Sequence, residues 1–445
     1  MRRSKDESYS DSLRRLFPEE NHQPLEIGGN YVRNITFQVT DDCSMMCAYC
    51  YQHDKSPNRM SFETGKKFID MILEPDEKTE GYINSRECPG CILEFIGGEP
   101  FLEAELIDKL TDYFILRCLE LDHPWATRYR ISITSNGLHY FEPAVQKYLD
   151  KNLGNVSLTI TIDGNKELHD SCRIDKAGNP TYDRAIAAAN HWAKRTGNDV
   201  RRSKVTLSPY NIDVSGKALI DLIEHGYDMI HCNCVYEQGW EISHAKTLYS
   251  EMKKVADHLL DNNLYDKVEL SMLDQPIGTN LRRNPKPWCG GSGLMMCVAP
   301  DGNIYPCLRY APSSVGHDKK PLVIGNVNEG FLKTPEERRI IECMSCVTRD
   351  SQCKGKLCEN CPIQDGCGDC AAYSWEVTGK IGERTTFHCD THKARVLISS
   401  YYQNKKHILK GEKERMPMNV PKEWALEIIS EDEYMNLIEL SNEVK

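Results

Sequence analysis

Cys43, Cys47 and Cys50 fall within eight residues of "DDCSMMCAYCYQ", directly after the run "NITFQVT". No other stretch constrains the chain as strongly. Structural zinc favours paired C-x2-C units and four closed ligands, and this spacing is neither. Three thiolates from one short loop can hold three corners of a cubane [4Fe–4S] cluster. The fourth iron then stays open to a small molecule, which is a reason to omit a fourth cysteine.

The remaining cysteines point the same way. The chain has 20 of them in 445 residues. Three lie at 43 to 50 and eleven between 289 and 389, with Cys88, Cys91, Cys118, Cys172, Cys232 and Cys234 scattered between. The N-terminal stretch "MRRSKDESYSDSLRRLFPEE" has no apolar core and is not read as a signal peptide. In a reducing compartment dense cysteine means metal more often than disulfides. A net charge of -11 without a basic block argues against nucleic acid or anionic lipid as the main partner. No apolar run is long enough for a membrane helix. The expected location is the cytoplasm.

Length suits two or three domains. Residues 1–30 read as a polar arm. From 31 to 240 strand and helix patterns alternate, the mark of an α/β domain with parallel strands. "MSFETGKKFIDMIL" is an amphipathic helix with Ser61 as N-cap. In "VSLTITIDG", Val156, Leu158, Ile160 and Ile162 share one face, and Ser157, Thr159, Thr161 and Asp163 the other. The polar face suits a wet barrel interior. Four strands end in polar or glycine signatures: the triplet, Gly97-Gly98-Glu99-Pro100, Thr134-Ser135-Asn136-Gly137 and Ile162-Asp163-Gly164. Such endings meet at the ligand-binding mouth of α/β barrels. Residues 241–285 read as a helical bridge, 286–395 as a cysteine-rich domain, and 396–445 as a helical tail that ends acidic.

With Tyr49 before its last cysteine, the triplet resembles the radical S-adenosylmethionine superfamily. The resemblance implies a partial (β/α)6 barrel, a radical-site [4Fe–4S] cluster on Cys43, Cys47 and Cys50, and S-adenosylmethionine on the open iron. Gly97, Gly98, Glu99 and Pro100 resemble the strand end that meets the methionine amino group. Ser135 and Asn136 resemble the one that contacts the methionine end and ribose. Thr161 and Asp163 would lie near the ribose, and Arg173 would face the cofactor carboxylate. For Asp163 an Asp-Gly turn is the plainer alternative, and for Arg173 a surface salt bridge.

"WCGGSGLMMCVAPDGNIYPCLRY" and the stretch from Cys358 to Cys389 resemble the SPASM extension, which carries auxiliary clusters. By that resemblance Cys358, Cys361, Cys367 and Cys389 hold one cluster. Cys289, Cys307 and Cys370 hold a second, also [4Fe–4S]. Its fourth position is open, or is filled by Cys297, Cys343, Cys346 or Cys353. Cys367-x2-Cys370 departs from the usual x3 spacing. Cys88-x2-Cys91 reads as a surface loop, and Cys232 and Cys234 as core thiols near the barrel interior.

The SPASM resemblance implies a peptide or protein substrate. The expected function is maturation of a ribosomal precursor peptide by cross-linking, as cysteine thioethers. A low-potential donor, ferredoxin or flavodoxin, would supply the electron. The alternatives are formylglycine formation in sulfatases, carbon–carbon cross-linking or epimerisation, and a non-catalytic electron carrier. In sulfatase-maturing enzymes an aspartate follows the "YPC" cysteine, whereas here Leu308 does. Only 42 residues precede Cys43, so a winged-helix recognition domain is expected to be missing or reduced. Precursor binding would then fall to the arm, the bridge or the tail.

Overall fold

The computed structural model describes residues 34–76, 90–197, 201–237, 239–280, 289–292, 295–316 and 318–442. The N-terminal arm and Cys88 lie outside them. Six strand–helix units follow one another: β1 (Asn34–Thr40) and α1 (Phe62–Leu73), β2 (Cys91–Gly97) and α2 (Ala104–Glu120), β3 (Tyr129–Ser135) and α3 (Pro143–Lys151). Then come β4 (Val156–Ile160) with α4 (Lys166–Cys172) and α5 (Tyr182–Thr196), β5 (Arg202–Leu207) with α6 (Ser215–Glu224), and β6 (Met229–Cys234) with α7 (Ile242–Asp261). β1 to β4 pair in parallel and in order. One parallel bridge, Thr161 to Lys204, carries the wall on to β5 and β6. This is the expected partial (β/α)6 barrel.

The strand register decides what faces inward. Ile35, Leu93, Ile131 and Val156 lie in line, all buried against the outer helices. Phe37 packs on Phe68 of α1 and Phe95 of β2, with ring centroids 5.2 and 5.3 Å apart. Ser61 caps α1, its hydroxyl accepting from the Thr64 amide. The opposite face carries the row Thr36, Glu94, Ser132, Ser157 and, further round, Lys204 and His231. It is polar, as the alternation in "VSLTITIDG" predicts, and runs from buried Thr36 to exposed Lys204 and His231. The Glu94 carboxylate there accepts from Thr36 Oγ1 at 2.7 Å, and burial pushes its pKa up.

Cys232 and Cys234 are core thiols, as expected: they pair with Val205 and Leu207, Cys232 is buried, and Cys234 packs against the core. One expectation fails. Cys91 begins β2 and is fully buried, not in a surface loop; it is the first residue of a central strand covered by helices.

The cysteine-rich region is not a detached appendix. Its strand β8 (Met295–Val298) pairs in parallel with β1, so one sheet runs from the barrel into the hairpin of β8 and β9 (Asn303–Tyr305). The bridge adds a further strand, β7 (Glu269–Leu270), beside β6. Past α8 (Pro335–Cys346), α9 (Arg349–Cys353) and α10 (Ala371–Thr378), the long α11 (Cys389–Leu409) starts at a candidate cluster cysteine. α11 packs along α7, and its Gln403 Nε2 donates to the carbonyl of Leu273, just after β7, at 2.7 Å. In the tail, Glu433 receives Tyr249 and Lys253 from α7. Among the described residues no helix is long and apolar enough to cross a membrane.

Candidate active site

The triplet loop leaves β1 and is fastened on two sides. The Met46 and Ala48 amides donate to the carbonyls of Ile174 and Cys172, both at 2.9 Å. On the other side the Glu99 amide donates to Asp42 O at 2.8 Å and the Gly98 amide to Thr40 O at 3.0 Å. This explains the glycine pair. A Cβ on Gly98 would lie 2.1 Å from the Asp42 carbonyl oxygen, and one on Gly97 2.5 Å from Thr40 O. Only glycine lets the end of β2 lie against the loop that presents the cysteines.

Glu99 is almost fully buried and ties the next strand end in place. Its carboxylate accepts from Ser135 Oγ at 2.7 Å, the Asn136 amide at 2.8 Å and the Phe101 amide at 3.1 Å. Asn136 Nδ2 donates in turn to Ser44 Oγ at 3.1 Å and lies 4.0 Å from Cys43 Sγ. Burial pushes the Cys43 thiol up to about 11, and raises Cys47 as well.

The structure brings Asp163 and Arg173 to this loop, though not as free groups. Asp163 is fully buried, receiving the Tyr49 hydroxyl on Oδ2 and the Thr206 amide on Oδ1 at 2.9 Å. Arg173 donates from Nη1 to the same hydroxyl at 2.9 Å. The residue before the last cysteine is thus a phenol held between a carboxylate and a guanidinium. Arg173 is 7% exposed, which overturns the surface salt bridge. Gly164 follows Asp163 at φ 71°, so the Asp-Gly turn is real as well. His169 completes the corner. Its Nδ1 accepts the Asp163 amide at 3.2 Å, while Nε2 faces Thr181 Oγ1 at 3.1 Å. Thr181 donates its own proton to Arg173 O. The imidazole must therefore be neutral, with its proton on Nε2. Burial and Arg173 push its pKa down to about 3.

The residues present fit the cofactors. Arg173 Nε is buried without a partner, a donor suited to a carboxylate. Among the described residues no three His, Cys, Asp or Glu side chains converge on a single-ion site. A cluster asks for something different, namely sulfurs spread over separate irons.

Two further thiol groups form in the cysteine-rich region. A Cβ on Gly291 would meet Cys307 Sγ at 3.2 Å and Cys289 Sγ at 3.5 Å, so these sulfurs converge. Cys370 is close enough for its charge to raise the Cys307 thiol, as Cys289 does. Cys297 is paired in register with Thr36, fully buried, its Sγ 3.8 Å from Val298 O. The second group is a cavity of about 190 Å³ whose wall includes Cys353, Cys358, Cys361, Cys367 and Cys389. Cys353, a sequence candidate for the first group, sits in the second and is hydrogen-bonded to Cys358. Cys343 and Cys346 are exposed on α8, and neither lines this cavity. Sequence reasoning missed Arg384, whose Nη2 donates to Cys367 Sγ at 2.7 Å. The only signal available was a lone basic residue in "GERTTFHC".

Comparison with known proteins agrees with this geometry. Residues 27–169 match a family model described as a 4Fe-4S single cluster domain. An uncharacterized protein of Methanocaldococcus jannaschii is 29% identical over 150 residues, 34% of this chain and 45% of that protein. A cysteine-type anaerobic sulfatase-maturating enzyme of Clostridium perfringens is 25% identical over 286 residues, 61% of this chain and 73% of the enzyme. Among solved structures, anSMEcpe with bound AdoMet and Kp18Cys peptide superimposes with a TM-score of 0.60 at 18% identity, covering 85% of this chain and 99% of that one. Streptococcus suis SuiB bound to its precursor peptide SuiA gives 0.50 at 13% identity, covering 80% and 76%.

Proposed function

We propose that this chain, a radical S-adenosylmethionine enzyme of the SPASM type, cross-links a ribosomally made precursor peptide through cysteine thioethers. In this reading Cys43, Cys47 and Cys50 hold the radical-site cluster. Cys358, Cys361, Cys367 and Cys389 hold one auxiliary cluster, and Cys289, Cys307 and Cys370 the other. When bound, S-adenosylmethionine and its cluster supply a carbon-centred radical able to take a hydrogen atom from a peptide carbon. Gly97 and Gly98 let β2 lie against the cluster loop, and Glu99 holds Ser135 and Asn136 beside it. Pro100 and Thr161 border the same mouth. Asp163 and Arg173 orient Tyr49 from below the loop, and Arg173 Nε is left for the cofactor carboxylate. A ferredoxin or flavodoxin class donor supplies the electron.

One observation carries the thioether. The residue after Cys307 is Leu308, which cannot accept a proton, and Arg309 follows. Arg309 is committed elsewhere, with Nη1 on Glu237 at 2.9 Å and the guanidinium 4.8 Å from the centroid of Tyr51. Oxidising a serine or cysteine side chain to an aldehyde needs a base for its proton, and this position offers none. A thiolate held by an auxiliary iron has already lost its proton, so cross-linking needs no base here.

The second reading, sulfatase maturation, is favoured by the names of the relatives. One experiment separates the two. With its own precursor the enzyme should give a product two mass units lighter per cross-link, with the cysteines involved protected from alkylation. A sulfatase-type Cys-x-Pro-x-Arg peptide should stay unchanged. Formylglycine in that peptide would move the chain to the second reading.

A further inference from the structure

We propose that Arg384 is a positioning residue for the group held by Cys358, Cys361, Cys367 and Cys389, and that its guanidinium makes this the strongest electron acceptor of the three cysteine sites. The proposal rests on the reading of those four cysteines as cluster ligands. Arg384 is 6% exposed, and the two hydrogens of one nitrogen serve three acceptors, one of them shared. Nη2 donates to Cys367 Sγ at 2.7 Å, Gly368 O at 2.7 Å and Cys367 O at 3.1 Å. Arg349, also 6% exposed, lines the same cavity with Nη1 on Gln364 O at 3.1 Å. Arg395 approaches from the other side of Cys367, donating to Gly366 O, with its Nε unpartnered.

Among the described residues none of these three guanidiniums forms an ion pair with a carboxylate. Asp369, the buried acid beside them, is held by Gln352 and Ser374 without an ion pair, and its charge offsets only part of the three guanidiniums'. At the rim, Glu383 is taken by Lys356 and Lys380. The other two sites differ. Arg173 shares its phenol with the Asp163 carboxylate, and Arg309 is paired with Glu237. These two guanidiniums are therefore largely cancelled, and the cation left at the mouth, Lys55, is a single half-buried ammonium on Met45 O.

A thiolate-ligated iron–sulfur cluster gains one negative charge on reduction. Hydrogen bonds to its sulfurs and nearby uncancelled cations stabilise the reduced form and raise the potential. Such an acceptor has a use. Joining a carbon-centred radical to a thiolate that has lost its proton makes the carbon–sulfur bond and leaves one surplus electron. A one-electron iron–sulfur acceptor of raised potential takes it.

The test is an EPR-monitored redox titration of the reconstituted full-length protein, alongside iron analysis. The signal lost in Cys358→Ala/Cys389→Ala identifies the site. In the wild type it should have the highest midpoint of the three. Arg384→Gln should lower that midpoint by at least tenfold in equilibrium constant, ~59 mV for a one-electron couple, with iron unchanged. Arg384→Lys, which keeps the charge, should retain most of the wild-type value. A wild-type midpoint that is not the highest, or an unmoved midpoint in Arg384→Gln, overturns the proposal. If Arg384→Gln fails to keep its iron, the wild-type order and the shift in Arg349→Gln decide. A double cysteine variant that loses no signal would instead overturn the ligand reading.

Discussion

The barrel mouth and the C-terminal cavity both gather cysteines, yet they are built in opposite ways. At the mouth the cysteines share one loop, and main-chain bonds from two neighbouring segments fix it. The carboxylates of Glu99 and Asp163 are fully committed to holding strand ends and the Tyr49 ring. In the cavity the cysteines come from separated stretches, two turns of loop and the start of α11, and arginine side chains hold the wall. In the proposed function the first generates the reactive species, and in the further inference the second tunes a potential. If that contrast is right, damage at the mouth should stop all chemistry, and damage in the cavity should impair only the steps after radical formation.

The largest effect should come from the mouth. Replacing Cys43, Cys47 and Cys50 together by alanine should abolish reductive cleavage of S-adenosylmethionine and remove about one cluster's worth of iron, measured by deoxyadenosine release and iron analysis. Unchanged iron would break the comparison at its root.

Next is Gly98→Ala. The added methyl would stand 2.1 Å from a carbonyl oxygen of the cluster loop, and overpacking of this kind costs about 1–3 kcal/mol. Cluster retention and the apparent affinity for S-adenosylmethionine should both fall, while the C-terminal clusters stay. A silent Gly98→Ala would mean that the loop is not pinned as described.

The smallest effect concerns pH. His169 is neutral in the folded protein, with its pKa near 3 against a reference of 6.5. The unfolded chain therefore takes up the proton first as pH falls. His169 contributes stability that is complete above about pH 6.5 and is lost progressively as pH drops toward 3, at about 1.4 kcal/mol per pH unit. His169→Gln should lower stability near neutrality and flatten the loss between about pH 6.5 and 4.5 in thermal melts. An equally steep loss in the variant would exclude His169 as its source.

Much of the mouth was legible because its cues are local. Each strand end announces itself by glycine or short polar residues, and strand alternation separates the wet face from the packed one. What escaped depends on distant pairing. Nothing in "MMCV" says that β8 will join β1. That Cys232 and Cys234 share a face with Val205 and Leu207 is set by register with β5, which a single strand does not reveal. Asp163 lay on the correct polar face, but only the fold shows that its partner is Tyr49, 114 residues earlier. The cavity was legible in its cysteines and not in its arginines, since Arg349 and Arg384 carry no spacing signature.

The division of labour between the two regions is tested most directly by Cys358→Ala/Cys389→Ala, assayed with the precursor peptide for deoxyadenosine and for product in the same reaction. The account predicts continued deoxyadenosine release with little or no cross-linked peptide. Full product yield from the folded variant, or loss of deoxyadenosine release with the radical-site cluster intact, would contradict it.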